Sequence, residues 1–327
     1  MPGVRSSAGV SRAAKMRHLF ILDPLDRLHV DGDTSVAFIR EAWRRGHAVD
    51  TCEVADLGQR DGAPFVRATA TSAGADVGGW ASVAAARREL LAGYDAVWMR
   101  KDPPLDDAYL FATLLMSRAE GPVMVNDPAA LRDENEKLFA LEFPELCPTT
   151  LVSRDVEELL AFRDELGGEM IVKPLDGNGG RGVFHLTPGD RNARAIVEAG
   201  TGHGRRLLMA QQYLPAVRDG DKRVILIEGE PAGAVLRVPA ADEARANLHV
   251  GGRAVHADLT ERDREICARI GPRLRQKGVI FAGIDVVGDH LTEINITSPT
   301  GVREIEQLSG VALEAQVLDA VEARRRS

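Results

Sequence analysis

The sequence has only three cysteines in 327 residues, Cys52, Cys147 and Cys267. They stand too far apart for a metal-ligand spacing, and three scattered thiols fit a reducing compartment, which places the expected site of action in the cytoplasm. No run of about 18 apolar residues occurs, so no membrane span is expected. A basic excess is missing too. The 41 Lys and Arg are outnumbered by 49 Asp and Glu, and a net charge of −8 argues against nucleic-acid binding. The eight histidines show no H-E-x-x-H spacing, and the absence of G-x-S-x-G argues against a serine hydrolase. Residues 1–16 lack the apolar stretch of a secretory signal. Their Gly, Ser, Ala and Arg content predicts a disordered extension, with a transit peptide or a true start at Met16 as alternatives. The tail Arg324-Arg325-Arg326 reads as a solvated helix end.

What is present is globular. The chain is 44% hydrophobic and 28% charged, and is too long for one ordinary core, so two or three domains are expected. Strands are predicted at 18–22, 48–54, 96–99 and 123–125, with helices at 35–45 and 107–118. This alternation implies a parallel sheet with helices on its faces, a small α/β domain over 17–127. Residues 58–79, polar and Gly-rich, read as a surface loop. Further along, helices are predicted at 129–141, 155–165, 261–277 and 313–324. Strands are predicted at 149–152, 170–173, 183–186, 206–212 and 224–228, with Gly229-Glu230 as a turn. No internal repeat is found.

The most informative segment runs from Gly283 to Asn295. Two apolar runs flank Gly288-Asp289-His290, a hairpin signature. With that loop Asp285 pairs with Glu293 and Gly283 with Asn295. Alternation then puts Asp285, Glu293 and Asn295 on one face, and Ile284, Val286, Ile294 and Ile296 on the other. Two adjacent carboxylates repel unless a cation lies between them, and hard oxygen ligands suit Mg²⁺. The plain alternative is a hairpin with a polar solvent face.

Other segments are weaker alone. Gly177, Gly179 and Gly182 match G-x-G-x-x-G, but the loop carrying them, with Gly180, joins two strands rather than a strand and a helix. Such a loop is either a flap over phosphates or flexible surface. Lys173 before it favours the flap, because a fixed ammonium grips phosphate. Lys137, on a helix, would ordinarily be exposed and inert. The strand end at Gln212-Tyr213-Leu214 before Pro215 could present backbone groups to an adenine edge, and Asp221 could accept from ribose hydroxyls, although these are also ordinary loop residues. Arg223, Arg237, Arg245 and Arg253 fall close together with Asn247, and residues 239–252 have little regular pattern, as a lid or a disordered loop would. Guanidinium groups there suit a carboxylate or an acyl phosphate, or are simply solvated. Ser298-Pro299-Thr300-Gly301 follows the ligand-rich strand, where turn chemistry and anion binding are both tenable.

Together the segments resemble bacterial glutathione synthetase, one of the ATP-grasp ligases. The resemblance rests on Met99-Arg100-Lys101-Asp102-Pro103-Pro104, on Asn135-Glu136-Lys137-Leu138, on Lys173-Pro174-Leu175-Asp176-Gly177, on Asp219-Gly220-Asp221-Lys222-Arg223, and on Thr292-Glu293-Ile294-Asn295-Ile296-Thr297-Ser298-Pro299-Thr300. It covers residues 18–322 in order; the loop 29–34 departs from the family pattern. It implies an N-terminal parallel-sheet α/β domain, 17–127, then an ATP-grasp fold of two α+β subdomains, 128–205 with the Gly-rich flap and 206–327 with the metal site and lid. It implies that ATP drives ligation of γ-glutamylcysteine to glycine through an acyl phosphate. Glu293 would bridge two Mg²⁺ ions, or Mn²⁺, with Asp285 on one and Asn295 on the other. Lys137 and Lys173 would hold ATP phosphates, beside Gly177, Gly179, Gly180, Gln212, Tyr213, Leu214 and Asp221. Arg223 would hold the transferring group, with Arg237, Arg245, Asn247, Ser298, Thr300 and Gly301 on the substrate. A homo-oligomer, a tetramer in the family, is implied. The rival readings are another carboxylate–amine ligase and a nucleotide-binding module without turnover.

Overall fold

A computed structural model describes residues 15–177, 179–239 and 252–327. The first unit holds β1 (Arg17–Ile21), α1 (Thr34–Arg44), β2 (Ala48–Cys52), β3 (Leu57–Arg60), β4 (Ala63–Val77), β5 (Ala81–Val83), β6 (Arg87–Leu90), β7 (Ala96–Met99), α2 (Asp107–Met116) and β8 (Val123–Val125). The order β2-β1-β7-β8 is parallel, as the strand–helix alternation predicts. The sheet does not stop there. β4 adds antiparallel to β2, and β3, β5 and β6 pair with β4. The loop expected over 58–79 is therefore strand. Its small Ala, Thr, Ser and Gly side chains hide the alternation, yet Val66, Ala68 and Thr71 are buried. Met16, assigned to the extension, is also buried and belongs to the fold.

The second unit holds α3 (Pro128–Asp133), α4 (Glu136–Ala140), β9 (Thr150–Ser153), α5 (Val156–Glu165), β10 (Met170–Pro174), β11 (Phe184–Leu186), α6 (Ala193–Gly200) and β12 (Leu208–Gln212). The helix expected over 129–141 is two. Glu134 is extended, and the Asn135 side chain accepts from the amides of Lys137 and Leu138, capping a new start. β11, β10, β12 and β9 form an antiparallel sheet in that order. β12 thus belongs to this sheet and does not open the next subdomain, as a boundary at 205 had it. α4 instead packs on the last hairpin.

The third unit is the antiparallel sheet β15-β14-β13-β16-β17, with β13 (Asp221–Ile227), β14 (Glu230–Val238), β15 (Arg253–His256), α7 (Glu261–Gln276), β16 (Phe281–Val287), β17 (His290–Asn295), α8 (Val302–Ser309) and α9 (Leu313–Arg326). The β13–β14 turn is Glu228-Gly229, both with positive φ, and Glu230 already lies in β14. The β16–β17 turn is Gly288-Asp289 alone. His290 pairs with Val287, and an irregularity between Asp285 and Val286 takes up the difference.

The first and third units share cores. Leu19, Ile21, Val97 and Met99 join Ile284 and Ile294 in one cluster, and Phe38 and Trp98 join Phe281, Leu318 and Val321 in another. The Asn126 side chain uses its full hydrogen-bonding capacity between them. Its Oδ1 accepts from the amides of Ile280 and Phe281, and its Nδ2 donates to the carbonyls of Phe281 and Ile296. The small sheet has a separate core, including Leu159, Met170, Val172 and Leu208.

A buried histidine pair lies where α9 covers the first sheet. His47 Nδ1 accepts from the Met16 amide, so its Nε2 donates to Glu322 at 3.1 Å. His18 Nδ1 accepts from Trp98 Nε1 at 3.0 Å, and its Nε2 has no partner among the described residues. Burial, then the neighbouring His47, pushes the His18 pKa down from 6.5 to about 3. The folded state therefore keeps His18 neutral while the unfolded chain takes a proton. Stability from this group is complete above about pH 6.5 and is lost as pH falls towards 3, at up to about 1.4 kcal/mol per pH unit. Urea denaturation between pH 7 and 4 should show this slope, and His18→Asn, which keeps an acceptor for Trp98, should flatten it. Equal slopes would remove His18 as the source.

Candidate active site

The β16–β17 hairpin builds the floor of a cleft. Asp285 pairs with Glu293 and Gly283 with Asn295, as the alternation predicts. Ile284, Val286, Ile294 and Ile296 are buried on the opposite face. β13 lies beside β16 with Arg223 opposite Asp285, and β14 brings Arg237 opposite Asp221. The period of two thus assembles Asp221, Arg223, Arg237, Asp285 and Glu293 on one face of four strands.

Arg223 grips Asp285 with two bonds, 2.6 Å from Nε to Oδ1 and 3.0 Å from Nη2 to Oδ2. Arg237 Nη2 is 2.9 Å from the same carboxylate and 2.5 Å from Asp221. Burial alone would raise the Asp285 carboxyl, but the two guanidinium groups override it and hold it well below the usual range. Burial pushes Asp221 up to about 6 against the pull of Arg237, and its Oδ1 has no partner among the described residues. Gly283 makes the arrangement possible. A Cβ there would sit 3.0 Å from Arg223 Cδ and 3.1 Å from Pro299 Cβ.

Two lysines converge on Glu293 from above. Lys173, at the end of β10, places Nζ 3.6 Å from Oε1, and Lys137 on α4 places its own 3.8 Å away. Both are buried, against the expectation of an exposed helical lysine at 137. Lys137 Nζ also donates to the Gly177 carbonyl at 2.7 Å and pairs with Glu136 at 2.5 Å, which ties α4 to the glycine loop. Burial would lower the Lys137 ammonium, but Glu293 and Glu136 raise it. A Cβ on Gly177 would meet Pro174 Cγ at 2.7 Å and the Arg181 carbonyl at 2.9 Å, so only glycine fits there. The loop joins antiparallel strands β10 and β11, as expected of a flap.

The cleft has a volume of about 1310 Å³. Gly177, Gly179, Gly180, Gln212, Tyr213, Leu214 and Asp221 line it with both lysines, as do Arg223, Arg237, Ser298, Thr300, Gly301, Asp285, Glu293 and Asn295. Arg245 and Asn247, and residues 240–251 of the expected lid, lie outside the described residues. Thr300 offers its carbonyl to Arg223 Nη1 at 3.1 Å, and Gly301 caps α8 with φ 116°.

Several lining residues were not singled out from the sequence. The His185 ring stacks on Tyr213 with centroids 3.9 Å apart. Arg100 is buried at the end of β7. Its Nε donates to Ser35 and its Nη2 to the Pro299 carbonyl, while Nη1 has no partner among the described residues. Arg100 falls within a motif quoted above, but nothing in the spacing marks it as reaching the cleft.

The donors Asp285, Glu293 and Asn295 are hard oxygen ligands and fit a divalent cation of the Mg²⁺ type. No group of three His, Cys, Asp or Glu suited to a metal occurs among the described residues, because the third donor here is an amide. Asn295 Nδ2 stands 3.4 Å from Asp285 Oδ2.

Residues 16–132 match the model of the prokaryotic glutathione synthetase N-terminal domain, and residues 136–310 that of its ATP-grasp domain. The chain is 48% identical over 313 residues to a glutathione synthetase of Gloeobacter violaceus, covering 93% of this chain and 96% of that one. It is 41% identical over 310 residues to the Vibrio cholerae glutathione synthetase, covering 94% and 97%. Among solved structures it is similar to the D-cycloserine synthetase DcsG, with TM-score 0.63, 17% identity, and 94% and 99% of the two chains covered. It is likewise similar to a RimK domain ATP-grasp protein of Sphaerobacter thermophilus, with TM-score 0.62, 21% identity, and 93% and 98% covered.

Proposed function

The chain belongs to the prokaryotic glutathione synthetases, and from that membership we propose how its cleft divides the work of making one peptide bond. The enzyme is an ATP-dependent ligase that joins γ-glutamylcysteine to glycine and forms glutathione. A free carboxylate is a poor acyl donor, since oxide would have to leave. Transfer of the γ-phosphoryl group makes an acyl phosphate, glycine's amine attacks the carbonyl carbon, and phosphate leaves. No side-chain nucleophile is needed, and catalysis consists of positioning and charge neutralisation.

The observation that carries the site reading is the convergence of Lys137 and Lys173 on Glu293 beneath the glycine loop. We assign the two ammonium groups to ATP phosphates, with the amides of Gly177, Gly179 and Gly180 as cover. Glu293, Asp285 and Asn295 would hold two Mg²⁺ ions, or Mn²⁺, which when bound neutralise phosphate oxygens. Gln212, Tyr213 and Leu214 would receive the adenine edge. Asp221 keeps Arg237 in place with one oxygen and leaves Oδ1 for a ribose hydroxyl. Arg223 serves the transferring group, and Arg237, Ser298, Thr300 and Gly301 the substrate. Arg100 Nη1, buried and without a partner among the described residues, is fit for a carboxylate of the dipeptide.

No helix among the described residues is long and apolar enough to cross a membrane. The three cysteines are free and buried, in keeping with work in the cytoplasm. We assign the working form to a homo-oligomer.

The test is ADP release with each substrate omitted in turn. Sustained release should require both γ-glutamylcysteine and glycine. Omitting the dipeptide should abolish it, and omitting glycine should leave at most slow hydrolysis of the acyl phosphate. Steady ADP release without the dipeptide would overturn the assignment, and nucleotide binding with no release under any condition would leave a binding module.

A further inference from the structure

α2 buries Tyr109, Ala112, Thr113 and Met116 against the first unit. Its other face is apolar and open. Leu110 and Leu114 are 40% exposed and Phe111 is 59% exposed, and Leu105 just before the helix is 47% exposed. Isolated exposed leucines need no explanation, but three large apolar side chains on one face of a ten-residue helix do. The ends of this face carry opposite charge. Asp107 opens the helix and Arg118 follows its last turn, and both are exposed. Neither makes an ion pair with another described residue, so both charges are open to a partner.

The spacing has a symmetry. Asp107, Phe111, Leu114 and Arg118 follow one another at helical intervals of four, three and four, which puts them on one stripe. Phe111 and Leu114 lie equally far from the centre of the stripe, and so do Asp107 and Arg118. A second copy of the helix, laid antiparallel about a two-fold axis through that centre, meets the first with Phe111 against Leu114 twice and Asp107 against Arg118 twice. At the shallow crossing of about 20° common to antiparallel helix pairs, both ends stay in reach. A face that complements itself in shape and charge is what an isologous contact requires. A parallel or shifted pairing would bring like charges together or leave the arginine unmatched.

We propose that the α2 face docks a second copy of this chain, antiparallel about a two-fold axis between Ala112 and Thr113. The inference rests on the homo-oligomer reading and names the surface that would make it. A standard interface buries roughly 1,600 Å² in total, more than one helix pair supplies, so α2 is the centre of a wider contact. The arrangement leaves the cleft open, because α2 contributes none of its lining residues.

Sedimentation of the full-length chain tests this. The double variant Phe111→Ser, Leu114→Ser should fall by one step of assembly, or show at least a tenfold higher dissociation constant, while keeping its turnover per protomer. Asp107→Arg alone should weaken assembly, and Asp107→Arg with Arg118→Asp should restore it. Protomers carrying Phe111→Cys, mixed with protomers carrying Leu114→Cys, should form a disulfide on oxidation, since the native cysteines are buried. If the wild type assembles and the double variant assembles equally well, the surface is wrong and the oligomer reading stands. If the wild type is monomeric at 100 µM protomer or so, both fail. If the serine variant assembles normally but loses capture of a different protein, the face serves a hetero-partner and the two-fold contact is excluded.

Discussion

Replacing Glu293 with Gln should lower kcat by about a hundredfold or more while the protein stays folded, as expected when a main electrostatic stabiliser loses its charge. The shape is kept and only the charge goes. In the cleft that charge faces Lys173 Nζ at 3.6 Å and Lys137 Nζ at 3.8 Å, both beyond hydrogen-bond distance, so Glu293 is not locked into a structural pair. Lys137 retains Glu136. The loss should therefore appear in kcat at saturating ATP and Mg²⁺, with only a small change in denaturation midpoint. Near-normal turnover under those conditions would sink the assignment of Glu293 to the reacting phosphates.

Asp285→Asn should behave differently, with a large loss of stability alongside the loss of activity. Asp285 is 5% exposed and is gripped by two guanidinium groups. Neutralising it leaves Arg223 and Arg237 buried with only Asp221 between them. Breaking a buried charge pair from one side costs about 3–5 kcal/mol, chiefly because the partner charge stays uncompensated. Urea denaturation should report that loss, and ATP and Mg²⁺ should recover little of it. A variant within about 1 kcal/mol of the parent would mean that the guanidinium groups find other anions. The contrast between the two carboxylates, opposite each other in the same hairpin, separates the one that serves chemistry from the one that also holds the sheet together.

Much of this cleft was legible in the sequence, and for a definite reason. A strand has a period of two, so the sequence alone puts Asp285, Glu293 and Asn295 on one face. That the glycine loop joins two strands was legible because Phe184 and its neighbours are β-formers rather than the start of a helix. Other features were not. The break between α3 and α4 depends on Asn135 turning its side chain back onto two amides, which competes with an unbroken apolar pattern and wins. β4 escaped because Ala, Thr and Ser carry little hydrophobic signal although they suit a strand between two partners. Burial of Lys137 follows from α4 lying on β17, a long-range contact that a local pattern does not contain. Arg100 was missed for the same reason. Its role depends on what approaches from Ser35 and Pro299, far away in the chain.

The way the first unit is closed bears on how the chain is made. Its parallel strands are complete by Val125, but its apolar faces are not. Phe38 and Trp98 wait for Phe281, Asn126 waits for four backbone partners on residues 280, 281 and 296, and His47 waits for Glu322, 275 positions further on. At a ribosomal pace of 5–20 residues per second, that wait lasts roughly 10 to 40 s. During it the nascent sheet carries an uncovered greasy side and must be sheltered or remain loose. The small antiparallel sheet between them has its own core and can settle early. The order of translation and the order of consolidation therefore differ: the middle of the chain can finish first, and the beginning finishes only with the end.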